Sequence, residues 1–134
     1  MENGLSKSVV KDSSTGKASL GKIVGIMFMS RTYAHMAHLA TPSYAAHVAL
    51  NRFYDDILEL VDGIAESAQG LHGKLDIPFV NVSGNVKDPI KALQTHLSML
   101  EKEGKNCDHP ALENLFQEVQ ALYLKTIYLL TELS

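Results

Sequence analysis

Four side chains with metal-ligand chemistry stand at fixed intervals in the first half of the chain. His35 is followed twelve residues later by His47, His47 fifteen later by Asp62, and Asp62 four later by Glu66. Imidazoles combined with carboxylates suit ferrous iron, with zinc or manganese as alternatives. Asp62 and Glu66, at i and i+4, face the same way on a helix and can share one ion. His47 and Asp62 cannot share one within a helix, because a rise of about 1.5 Å per residue sets them roughly 22 Å apart. His35 and His47 fall on either side of Thr41-Pro42-Ser43, so their imidazoles can approach across a short turn. The chain thus offers a histidine pair at one end of a helix and a carboxylate pair at the other. Two copies joined antiparallel through that helix about a two-fold axis would bring each pair to its complement, twice. A cation there would also remove the cost of holding two carboxylates together in a poorly solvated interface.

The elements that must position these groups are helices. An apolar stripe through Ile23, Met27, Tyr33 or Ala34, and Ala37 predicts a first helix over about 20–39. Thr41 as cap and Pro42 in the first turn predict a second helix from about Pro42 to Gln69, with Leu50, Phe53 or Tyr54, Ile57, Val61, Ile64 and Ala68 at helical spacing. Gly70 and Gly73 are its expected terminators. From Leu71 to Asp88 the pattern breaks around Pro78 and Gly84, as expected of a long crossover connection. Asp88-Pro89 and Pro110 predict the starts of two further helices, reaching about Glu103 and Leu133. The expected class is all-α: a ferritin-like four-helix bundle with a long connection between helices 2 and 3. Cytokine-like and plain up-down bundles share most of this pattern, and fold alone assigns no function.

The spacing of His35, His47, Asp62 and Glu66 resembles the ferroxidase signature of the Dps family, the mini-ferritins. The run GIAESAQG is also similar to that family's sequence after its ligand Asp. The resemblance covers about residues 30–73, and the fourth helix shares only its general pattern. It implies that His35 and His47 of one subunit and Asp62 and Glu66 of its mate hold iron. It further implies Fe(II) oxidation by peroxide or dioxygen, Fe(III) sequestration, and assembly of the dimer into a dodecamer. Met36 stands where a Trp commonly follows the first ligand His, and Asn51 where a further Asp is usual.

Composition bounds the remaining choices. The chain has 134 residues, 46% hydrophobic, with a net charge of -3. That suffices for one domain with a core and supplies no global attraction to nucleic acid or anionic membrane. Residues 1–19 are polar and are expected to form a flexible tail ahead of a domain over 20–134. Lys7, Lys11, Lys17 and Lys22 could bring that tail to DNA phosphates, diluted by Glu2 and Asp12. Cys107 is the single cysteine, so no disulfide framework exists. No apolar run approaches the roughly 18 residues a membrane span needs, and a cytoplasmic protein is expected. His38 is expected as a helix-end surface residue, and His72, His96 and His109 as surface or capping residues. Met27, Met29 and Met36 are expected core fillers. Two other readings use the same residues: a non-catalytic ferritin-like interaction module binding a protein or small ligand, and a structural zinc-bridged dimer.

Overall fold

Proline and the residue ahead of it set two of the helix starts, and proline followed by serine a third. In the computed structural model the backbone is described for residues 2–81 and 84–133, and side chains within those ranges from Ser14 onward. The described residues form four helices and no strand: α1 (Glu2–Ala40), α2 (Tyr44–His72), α3 (Pro89–Gly104) and α4 (Pro110–Glu132). Pro42 has no N–H to continue α1, and Ser43, in an extended conformation, caps α2 by accepting from the Ala46 N–H at 3.1 Å. The Ser43 N–H in turn donates to Thr41 Oγ1 at 3.2 Å, so Ser43 rather than Thr41 is the cap. Asp88 and His109 accept from Lys91 N–H and Ala111 N–H to start α3 and α4, each with proline in the first turn.

The ends of the helices correct two expectations. α2 runs through Gly70 and stops at Gly73, whose φ of 83° is the left-handed conformation that glycine takes without steric cost. Gly70 keeps helical geometry at a cost of about 1 kcal/mol relative to Ala, which the apolar face of α2 outweighs. α1 extends upstream of Leu20, and Ser19 and Leu20 are both buried. The side chains of Lys7 and Lys11 lie outside the described residues, while Lys17 is half-buried and Lys22 exposed.

The four helices share one core. α1 packs on α2 and α3, and α4 packs on α2 and α3. Among the described residues, α1 and α4 do not touch through their backbones, nor do α2 and α3, so these are the diagonal pairs. Asn106 Nδ2 donates to Ser19 Oγ while Ser30 meets His96, so α3 descends as α1 rises. The link after α2 follows α1 in the opposite sense to α3. Asp76 lies against Gly21, Pro78 and Val80 against Gly25, and Asn85 accepts from the Tyr33 hydroxyl. A Cβ at Gly21 or Gly25 would collide with the carbonyls of Asp76 or Pro78. These two glycines, one turn apart, open the groove in which the link lies.

The core is mostly apolar, with a polar pair at its centre. Ile23, Met27, Leu50, Phe53, Ile57, Ile64, Leu93, Leu100, Tyr123 and Leu130 are buried from all four helices. Phe53 of α2 presents its ring edge-on to Tyr123 of α4 at 5.0 Å. His96, expected at the surface, is wholly buried, and its Nδ1 shares a 2.8 Å hydrogen bond with Ser30 Oγ. The Tyr33 ring meets His96 edge-on at 5.4 Å. Burial pushes the Tyr123 hydroxyl's pKa up, partly opposed by Ser30. A polar pair, Ser30 and His96, therefore links α1 to α3 in the middle of the bundle. Met27 is core as expected, Met29 is half-buried, and Met36 is 54% exposed.

Candidate metal centre

The end of α1 and the start of α2 bring four aromatic rings together: His35, His38, His47 and Tyr54. The imidazole that meets His47 is that of His38, with centroids 3.6 Å apart and planes 21° from parallel. His38 Nδ1 lies 2.7 Å from the His47 carbonyl oxygen, and His47 Nδ1 lies 2.9 Å from the His38 carbonyl oxygen. A carbonyl can only accept, so both Nδ1 atoms carry the proton and both neutral rings keep their lone pair on Nε2. His38 is buried, not a surface residue. The sequence does carry a signal for this. His38 lies four residues beyond Ala34 on the stripe that holds Ile23, Met27 and Ser30, the face that α1 turns inward.

His35 occupies a different place. Its ring stacks on Tyr54 at 4.2 Å and stands 6.0 Å from the His38 ring. Tyr54 completes the cluster by meeting His38 edge-on at 5.3 Å, and its hydroxyl donates to Asn51 Oδ1. Asn51 Nδ2 donates to Asp55 Oδ2 at 3.4 Å. The amide of Asn51 is thereby engaged on both sides, its oxygen by Tyr54 and its nitrogen by Asp55. Here it orients its neighbours.

Asp62 and Glu66 are exposed on the outer stripe of α2, one turn apart, in line with Asp55 and Glu59. Among the described residues, no three His, Cys, Asp or Glu side chains converge as a metal site. The structure thus groups the histidines at one end of α2 and leaves the carboxylates toward the other. Any site using both sets needs a second copy.

At the far end of the bundle the polar groups have other roles. His109 caps α4 through Nδ1, as expected. The pKa of His72 is lowered, by burial first and then by the charges of Lys17 and His109. Lys17 and Lys22 border a groove that Asp76 also lines, so the field there is weaker than two lysines alone would produce. Cys107 is buried, and burial together with Glu103 and Glu113 pushes its thiol up to about 11. A raised pKa keeps the thiol protonated at neutral pH. Alkylation by iodoacetamide at pH 7.5 is therefore expected on the order of 100-fold slower than in the unfolded chain, the gap closing as pH rises toward 11. Equal rates in folded and unfolded protein would show that Cys107 is accessible and unperturbed. Among the described residues, no helix is long and apolar enough to cross a membrane.

Residues 38–130 match a family described as "Family of unknown function (DUF5856)". The chain is also 26% identical over 121 residues to an "Uncharacterized 14.6 kDa protein in mobD-ri intergenic region" of Enterobacteria phage T4. That alignment covers 89% of this chain and 94% of the phage protein. No solved structure matches. The matched span opens on His38 and takes in His47, Tyr54, Asp62 and Glu66, and with it covering well over half of its length the chain belongs to the DUF5856 family.

Proposed function

We propose that this protein is a ferritin-like, Dps-like iron-binding protein whose sites form between two copies. His47, with His35, would come from one copy, and Asp62 with Glu66 from the other. The observation that carries this reading is the state of His47. Its Nδ1 proton is committed to the His38 carbonyl, which leaves Nε2 as a free lone pair on a half-buried ring held in one orientation. Asp62 and Glu66 stand one turn apart on the same helix and face solvent, where a second copy can reach them. The ring of neighbours α1–α2–α4–α3, with the link lying along α1, supports the ferritin-like arrangement.

Two neutral imidazoles and two carboxylates fit Fe(II), which here is the substrate. Hard carboxylate oxygens favour Fe(III), so the donor set promotes loss of an electron from bound Fe(II) to dioxygen or peroxide. The residues of the chain contribute placement. His38 holds His47, Tyr54 supports His35, and Asn51 steadies Tyr54 and Asp55.

The test is anaerobic Fe(II) titration of the full chain, followed by exposure to oxidant and measurement of ferric absorbance. His47→Ala and Asp62→Ala are each expected to lower the oxidation rate at least 10-fold. A rate equal to that of buffer in the unmodified protein would leave the non-catalytic interaction module. That reading draws on the exposed apolar side chains at the same end of the bundle, Leu39 at 73% and Tyr44 at 81%.

A further inference from the structure

The geometry points to His38 as the positioning residue for His47, the member of the histidine cluster that prepares the metal ligand and does not bind metal itself. This rests on the shared-site reading above and extends it to a residue outside the expected ligand set. The two histidines are locked reciprocally. Each ring donates from Nδ1 to the other's backbone carbonyl, at 2.7 and 2.9 Å, and the rings face each other at 3.6 Å. The contact ties the last turn of α1 to the first turn of α2, and neither ring can rotate without breaking its own bond to the other residue's carbonyl. The Tyr54 edge closes on His38 from a further side.

The same geometry separates the roles of the two rings. Lone pairs on nitrogen lie in the ring plane. Two stacked rings with centroids 3.6 Å apart and planes 21° from parallel aim their in-plane lone pairs in separate directions and do not converge on one point at the roughly 2.0–2.1 Å that a metal–imidazole bond allows. His38 and His47 therefore cannot chelate one ion while they remain stacked. His38 is also the more enclosed, at 8% exposed, whereas His47 is only half-buried. The arrangement repeats what metal-binding histidines require. One nitrogen is tied to a fixed carbonyl so that the other carries the lone pair in a fixed direction. What is specific to this chain is that the carbonyl belongs to a second histidine, whose ring braces the first from its face.

The experiment combines a tautomer measurement with a binding isotherm. Long-range proton–nitrogen NMR of the metal-free full chain at pH 8 is expected to show His47 as the Nδ1–H tautomer. His38→Ala keeps the carbonyl that fixes the His47 tautomer but removes the ring that braces it, and is expected to weaken anaerobic Fe(II) binding by about 10- to 100-fold with the Nδ1–H tautomer retained. His38→Asn, which keeps an N–H donor near the position of Nδ1, is expected to recover part of the affinity. An Nε2–H tautomer at His47 in the unmodified protein overturns the proposal, and it does so whether or not the variants fold. Unchanged affinity in His38→Ala overturns the positioning role but leaves the shared site standing. Unchanged Fe(II) binding in His47→Ala overturns the shared site itself.

Discussion

Mixing the His47→Ala and Asp62→Ala proteins in equal amounts and allowing subunits to exchange is expected to restore Fe(II) oxidation that neither protein has alone. The recovered activity should reach about a quarter of the wild-type level if each site takes its histidine from one copy and its carboxylates from the other. Random exchange makes half of the dimers mixed. In a mixed dimer one site carries both substitutions and the other carries none, because the intact His47 and the intact Asp62 meet there. A site built within one chain has no such route to recovery, since every chain in the mixture lacks one ligand. The rise of α2 makes the intrachain site impossible in any case, with His47 and Asp62 roughly 22 Å apart on one straight element. Absence of any recovery after demonstrated exchange would sink the shared site, as would a monomer by light scattering.

Phe53→Ala is expected to carry the largest stability loss among core substitutions, about 3–5 kcal/mol. Phe53 is fully buried on α2, and its ring meets Tyr123 of α4 across the interior. Removing it forfeits the transfer energy of an aromatic ring and leaves a cavity between two helices whose backbones are fixed by their other contacts. Tyr123→Phe, which removes only the hydroxyl at the same contact, should cost about 1 kcal/mol or less. Urea unfolding should therefore show a large fall in midpoint for Phe53→Ala with the slope unchanged. At roughly 3 °C per kcal/mol the melting temperature should fall by about 10 °C or more. A cost below about 1 kcal/mol would mean that the α2–α4 contact is looser than its burial implies. Because α2 carries His47, Asp62 and Glu66, this contact also holds the helix that spaces the proposed ligands.

How far the fold was legible depended on the range of the interaction concerned. Asp88-Pro89, His109-Pro110 and Pro42-Ser43 mark helix starts through bonds that span two or three residues, so they stand in the sequence almost as they stand in the structure. The stripe Leu50, Phe53, Ile57, Val61, Ile64, Ala68 is likewise local, and every member is buried. Gly70 was misleading because a glycine can end a helix or ride inside one, and the choice is made by whether the backbone turns left-handed, as Gly73 does. Ser30 and His96 lie 66 positions apart, and neither shows its partner in the chain order. Both nonetheless sit on apolar stripes, and a polar residue there is the trace such a pair leaves.

The opening interval of His35, His47, Asp62 and Glu66 was determined by the sequence alone, and with it the impossibility of a single-chain site. That follows from helix rise, a local property that no tertiary contact can alter. The partner of His47 was decided only by the tertiary structure. His35 and His38 are both within reach of a short turn, and spacing cannot rank them. What ranks them is the face each occupies once α1 packs on α2: His38 turns inward and locks against His47, while His35 is carried onto Tyr54. The reason is angular. Three residues along a helix rotate a side chain by about 300°, and whether that places it against a neighbour depends on where the neighbour lies, which the chain order does not record.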